Sequence, residues 1–276
     1  MTAPGSRRSR PPRGAQAAWG RPSAGLHVTF ISDPWFYAAA IPAVLMMGLS
    51  KSGFLIGFGA LATPLLALAV PVPQAAAIML PLLLVMDFTS IQQLWRQRDR
   101  ELLHLLVPAG LIGTVIGTLL FGVFSSKAVA AVVGALTLLF LAQRLLFPPR
   151  PDAPPPPKAV GFVLGIAAGF TSFVAHAGSP PLSAYVLPLR LEPMRFTATM
   201  AVLFTAINLS KWIPYAWLGL LDTRNLATSL VLVPLAPLGV WLGIWLTRRI
   251  ASTWFYRIAY TGMAATGLKL LWDGLR

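Results

Sequence analysis

From residue 35 to the end of the chain, long apolar stretches alternate with short polar ones. The apolar runs are roughly 17 to 24 residues long and almost uncharged, enough to cross a hydrocarbon core of about 30 Å at about 1.5 Å per residue. The pattern predicts helices over Trp35–Leu49, Gly53–Val70, Gln74–Trp95, His104–Phe124 and Lys127–Phe147. The first opens after Ser32-Asp33-Pro34, a capping residue with proline in the first turn. Residues 147–158, FPPRPDAPPPPK, cannot be helical, because proline lacks the amide donor and its ring clashes with the preceding turn. Such a stretch is a stiff, extended linker. Beyond it the pattern predicts Ala159–Ala175, a short piece at 182–189, Phe196–Leu220, Asn225–Leu246 and Phe255–Trp272. About eight of these segments count as spans, and the pieces near Gly53 and Pro181 are parts of broken or re-entrant helices.

The two sides of the linker repeat one order of features. Each has an apolar helix followed by a Gly/Pro-rich break, GLSKSGFLIGFGALATP at 48–64 and GFTSFVAHAGSPP at 169–181. A long helix with one polar residue inside follows, Asp87 in the first half and Asn208 in the second. Each half then has a short polar loop and a helix with glycines four apart, Gly113/Gly117 and Gly239/Gly243. Such glycine pairs are helix-packing contacts. The expected architecture is an all-α integral membrane protein of about eight transmembrane helices in two homologous, inverted halves with broken or re-entrant segments. Its parts are a disordered basic leader (1–30), a first repeat (31–147), the Pro-rich linker (148–158) and a second repeat (159–276).

Composition narrows the class further. Only 11% of the residues are charged and 56% are hydrophobic, against about 25% charged in soluble domains. The net charge is +14, but the Lys and Arg residues gather in the leader and in short loops. That is the distribution of membrane topology, not of a nucleic-acid surface. Arg96–Arg100 and Arg248–Arg249 both look cytoplasmic. The absence of cysteine excludes disulfides and thiolate metal sites. His27, His104 and His176 form no ligand-spaced cluster, and no phosphate-binding loop of the G-x-x-x-x-G-K-[ST] type is present. No metal or cofactor is expected.

Candidate chemistry lies at the breaks. Backbone that leaves the helix at membrane depth must be satisfied within protein or a cavity, and helix N-termini aimed into a cavity make an anion site. Lys51, among glycines, is either a cation for that anion or a lysine snorkelling to the interface. His176 is either a hydrogen-bond donor or titrating group for an oxyanion, or a packed histidine. Ser172 and its neighbours can donate to substrate or bond their own helix. Asp87, costly at mid-span, is protonated, binds a coupling proton or sodium ion, or pairs with Lys51. Asn208 and Lys211 share a helix face at i, i+3. Lys211 lies either along the pathway or at the boundary beside Trp212.

These pieces resemble the TauE/SafE family of bacterial and plant membrane transporters, the sulfite exporter family. The likeness rests on GLSKSGFLIGFGALATPLL (48–66), GFTSFVAHAGSPPLSAYVLPLRL (169–191) and FTATMAVLFTAINLSKWIPYAWLG (196–219), and spans roughly 35–272. Ser52 and Ser179 stand where glycine is commoner in the family. The resemblance implies homologous halves and export of sulfite or an organosulfonate across the bacterial inner membrane. Carried over by motif, it implies a substrate site of Lys51, Gly53, Gly57, His176, Gly178, Pro181, Thr199, Asn208 and Lys211. The expected protein is a multi-pass secondary transporter of a small anion working by alternating access, as a single chain or a homo-oligomer. A non-transporting membrane subunit and an intramembrane enzyme are the alternatives.

Overall fold

The structure is a computed structural model. It describes residues 30–52, 59–121, 123, 125–146, 154–247, 249 and 252–276. The expected leader, Gly53, Gly57 and the first part of the linker lie outside the described residues.

The described residues form helices and no strands. The first half contains α1 (Pro34–Lys51), α2 (Gly59–Leu66), α3 (Val72–Leu94), α4 (Arg100–Leu120) and α5 (Ser126–Leu146). The second contains α6 (Lys158–Ala175), α7 (Ser179–Val186), α8 (Pro193–Ser210), α9 (Trp212–Trp217), α10 (Thr223–Leu232), α11 (Leu235–Thr247) and α12 (Ser252–Leu275). Among the described residues, four stretches are long and apolar enough to cross a membrane: Val72–Gln92, Arg100–Leu120, Lys158–Ala175 and Met194–Trp217. Counting α10 and α11 as one span bent by 41° makes a fifth. The chain is a multi-pass membrane protein.

Local chemistry explains where the elements start and break. Asp33 caps α1, accepting from the Trp35 amide at 2.9 Å. Asp99 caps α4 by accepting from the Leu102 amide at 3.0 Å, so α4 begins four residues before the apolar pattern predicts. Asp222 does the same for α10 at the Asn225 amide, 2.6 Å away. Pro214 ends α8, since its ring cannot follow the carbonyl of Ser210, and Pro234 separates α10 from α11 in the same way.

Glycines set how closely the helices approach. In α1 against α11, a Cβ on Gly48 would lie 2.7 Å from the Gly239 Cα, and one on Gly243 would lie 2.9 Å from the Leu49 Cα. In α4 against α6, a Cβ on Gly169 would lie 2.8 Å from the Gly110 carbonyl carbon. Gly113 meets the Ile166–Phe170 backbone and Gly117 meets Phe173. The expected packing role of Gly113, Gly117, Gly239 and Gly243 is what these contacts show. The same contacts make α1 parallel to α11 and α6 parallel to α4.

α3 and α8 run antiparallel through the centre, and their two ends are pinned differently. At one end Arg195 pairs with Asp99 at 2.7 Å and Thr199 accepts from the Asp99 amide at 2.9 Å. Lys158 meets Glu101 at the same end. At the other end Gln74 donates to Asn225 at 3.0 Å and Ser229 donates to the Ile78 carbonyl at 2.8 Å. Asp87 and Asn208 lie about halfway between.

Candidate functional site

Where α1, α3, α6 and α8 meet, a chain of polar side chains joins the halves. Lys51, in the last turn of α1, donates to Asp87 Oδ1 at 2.6 Å. Asn208 donates from Nδ2 to Asp87 Oδ2 at 2.7 Å, which turns its Oδ1 toward Lys211 at 3.0 Å. The Lys211 ammonium also donates to the Ser172 carbonyl at 2.7 Å and the Ser172 hydroxyl at 2.8 Å, and it lies 3.1 Å from His176 Nδ1. His176 Nε2 lies 2.8 Å from the Ala76 carbonyl. A carbonyl can only accept, so Nε2 carries the ring proton and Nδ1 receives from Lys211. Asp87 and Lys211 are fully buried, and Asn208 is 1% exposed.

The second break is held by this network. α6 ends at His176, which adopts φ 52° and ψ 27°, a left-handed conformation that costs a non-glycine residue about 1–3 kcal/mol. The two ring bonds, to Ala76 and Lys211, and the backbone bond from His176 N–H to the Ser172 carbonyl at 3.0 Å hold it there. Gly178 leads into α7, where a Cβ would lie 2.8 Å from the Ala168 carbonyl and 2.9 Å from Phe204. It keeps the hairpin of α6 and α7 closed. The first turn of α7 contains Pro180 and Pro181, so it offers fewer backbone donors than an ordinary helix start. The hydroxyls of Ser179 and Ser183 supply polarity there.

A cleft lies in front of the network, with an empty volume of about 610 Å³ including its open part. Lys51, Ser172, Ser179, Ser183 and Asn208 give its polar wall, and Met47, Leu83, Phe196, Met200 and Phe204 give an apolar one. It runs from Asn208 back along α8 to Phe196, toward the Asp99–Arg195 end. On the far side the site is closed by Phe173, Tyr215 and Leu80, each almost wholly buried, with the Phe173 and Tyr215 rings edge to face at 5.2 Å.

Apart from Gly53 and Gly57, which lie outside the described residues, the expected site residues have these positions. Lys51, Ser172, His176 and Asn208 line the cleft. Lys51 has three ammonium hydrogens, of which Asp87 takes one, and it sits 4.5 Å over the Phe204 ring. Ser172 accepts from Lys211, which leaves its hydroxyl proton for another partner. His176 uses both ring nitrogens inside the network, so it has none with which to donate to an anion. Of the readings open for Asp87, the structure has the pairing with Lys51. Lys211 stands directly behind the cleft and not at the boundary.

Two motif residues are elsewhere. Thr199 bonds Arg195 and Asp99 at the charged end and does not face the cleft. Pro181 is half-buried in α7 and is not among the lining residues. Sequence reasoning missed Ser50, Ser183, Thr197, Met200 and Phe204. The i, i+4 spacing of Met200, Phe204 and Asn208 on one face of α8 is the signal that could have found part of that wall.

Two lysines, an aspartate and a serine-lined cleft thus lie together inside a bundle of apolar helices. The sequence model of the sulfite exporter TauE/SafE family matches residues 40–270. The chain belongs to the TauE/SafE family. Membership implies a sulfite-type membrane exporter, and it places the apolar helices in transmembrane transport. No curated protein and no solved structure matches the chain. Within a TauE/SafE protein, the buried Lys51–Asp87 pair and the Lys211 cage are groups that would be costly to keep without a negatively charged partner or each other.

Proposed function

We propose that the chain is a secondary transporter that exports a small oxyanion of the sulfite or organosulfonate type across the bacterial inner membrane by alternating access of this cleft. The observation that carries the reading is Lys51: a cation 10% exposed, with donors to spare, at the bottom of a cleft built from both halves. The hydroxyls of Ser172, Ser179 and Ser183 and the second amide hydrogen of Asn208 complete a donor set for an anion.

Two homologous, inverted halves fit the packing. A shift of 121 residues, the separation of Asp87 and Asn208, carries Gly48 to Gly169, Lys51 to Ser172, Gln74 to Arg195 and Ile78 to Thr199. Helix partners exchange in the same way: α1 with α11 mirrors α6 with α4, while α3 with α8 and α5 with α12 are each their own mirror image. Eight long helices result when α8/α9 and α10/α11 are each taken as one. α1/α2 and α6/α7 act as hairpins that enter from opposite faces, and three crossings per half invert the second half relative to the first. Interrupted segments at matching places in duplicated halves are where transporters bind substrate.

Arg96, Arg98, Arg100, Lys158, Arg190, Arg195 and Arg249 gather at the end the cleft approaches, which makes that end cytoplasmic by the distribution of positive charge. The cleft then faces the compartment from which an exporter loads. In proteoliposomes the purified protein is expected to move labelled sulfite, and Lys51→Ala is expected to lower the flux at least tenfold. Equal flux in the variant would refute the role given to Lys51.

A further inference from the structure

The charged groups of the site can be compared position by position across the repeat. The shift that relates Asp87 to Asn208 also relates Lys51 to Ser172 and Ser90 to Lys211. At two of these mated positions lysine and serine are exchanged, so each half supplies one lysine and one serine. At the third position the halves differ: the first half supplies a carboxylate and the second a neutral amide. The Asp87 carboxylate and the Asn208 amide are hydrogen-bonded to each other at 2.7 Å, on the line where the halves meet.

Hydrogen-bond accounting places a positive charge at Lys211. Besides the Ser172 hydroxyl, which can accept or donate, three groups that can only accept converge on its Nζ between 2.7 and 3.1 Å: the Ser172 carbonyl, Asn208 Oδ1 and His176 Nδ1. An ammonium offers three hydrogens to this set and a neutral amine only two. Moving the proton onto His176 leaves the charge of the pair unchanged. Lys51 adds a second positive charge and Asp87 removes one. Of the cleft's lining residues, only Lys51 and His176 can ionise, and both are already counted.

We infer that the side chains of the site together carry one uncompensated positive charge and select a singly charged oxyanion over a doubly charged one. The substrate's negative charge stands where a second carboxylate, the mate of Asp87, would make the duplicated site neutral. A dianion at the same place overshoots by one charge in surroundings where Asp87 and Lys211 are wholly withdrawn from water. For sulfite this selects the hydrogen sulfite form, and among organic substrates it selects monosulfonates. The inference rests on the cleft being the anion site of the proposed transporter.

Binding of methanesulfonate and of sulfate, two tetrahedral oxyanions differing by one charge, tests it. Each is titrated against the purified full-length protein at constant ionic strength, with thermal stabilisation as the readout. The wild-type protein is expected to bind methanesulfonate at least tenfold more tightly than sulfate. Asn208→Asp, which brings the site to neutrality, is expected to weaken methanesulfonate at least tenfold. Asp87→Asn, which brings it to two positive charges, is expected to reverse the preference in favour of sulfate. The wild-type comparison needs no variant to fold, and Asn208→Asp stands by itself should Asp87→Asn be unstable. Equal or tighter sulfate binding by the wild-type protein overturns the charge selection and leaves the anion site standing. No stabilisation by either anion overturns both the charge selection and the anion site.

Discussion

The two ends of the α3–α8 pair are pinned in opposite ways. At one end Arg195 forms an ion pair with Asp99 whose arginine side chain is 53% exposed. At the other end Gln74 meets Asn225, and both Asn225 and Ser229 are buried. Water screens the first pin, and its net contribution is small. The second pin is made of neutral groups out of water, where a lost partner leaves an unsatisfied donor or acceptor. The cleft extends toward the weak pin and stops at the Phe173–Tyr215 closure before the strong one. The scaffold thus has a weakly pinned end and a strongly pinned end, and the difference is one of solvation.

The largest effect is expected at the midpoint that both ends share. Asp87→Ala removes the partner of Lys51 and of the Asn208 amide at once, and about 3–5 kcal/mol of stability should be lost, as for other broken buried pairs. Unfolding in mixed detergent micelles measures it, and a loss under 1 kcal/mol would mean that the two ends are not tied through this carboxylate. A smaller effect separates the two ends directly. The chain has no cysteine, so single replacements report cleanly. Ser179→Cys in the cleft should react with a water-soluble maleimide at least tenfold faster than Ser229→Cys at the closed end. Similar rates would remove the asymmetry.

Weaker still is Asn225→Leu, which deprives Gln74 of its acceptor and the Leu220 carbonyl of a donor. It should cost about 1–3 kcal/mol, and the loss should not depend on salt. Arg195→Ala at the other end should cost less than about 1 kcal/mol, and the difference from wild type should shrink further as salt screens the pair. A larger, salt-insensitive loss at Arg195 than at Asn225 would invert the comparison.

Much of the fold was legible in the residues themselves. The ten predicted segments cover α1 through α12 because apolar length and capping aspartates act locally, but the breaks that split 196–220 into α8 and α9 and 225–246 into α10 and α11 were not predicted. Even the helix-packing glycines could be read from spacing alone. Part of the site was legible on the same terms: Lys51, Ser172, His176 and Asn208 stand at or beside interruptions of apolar helices, and all four reach the cleft. Thr199 bonds Asp99 instead of lining the cleft, and a threonine that bonds a neighbouring loop looks like one that lines a cleft in sequence. Phe204 went unremarked because an aromatic on an apolar helix carries no mark of the cation it will cover.

The sequence by itself determined which segments are helices, where the two Gly/Pro-rich breaks fall, and that four ionisable groups, Lys51, Asp87, His176 and Lys211, must be accommodated inside an apolar protein. Only the tertiary structure decided how they are accommodated. It gave Asp87 to Lys51 and Asn208, turned Lys211 inward to Ser172 and His176, and tied up both nitrogens of His176. Periodicity states which face of a helix is apolar, but it does not state which faces meet across more than a hundred residues. For a buried charge the partner is what matters, since without water nothing else can compensate it.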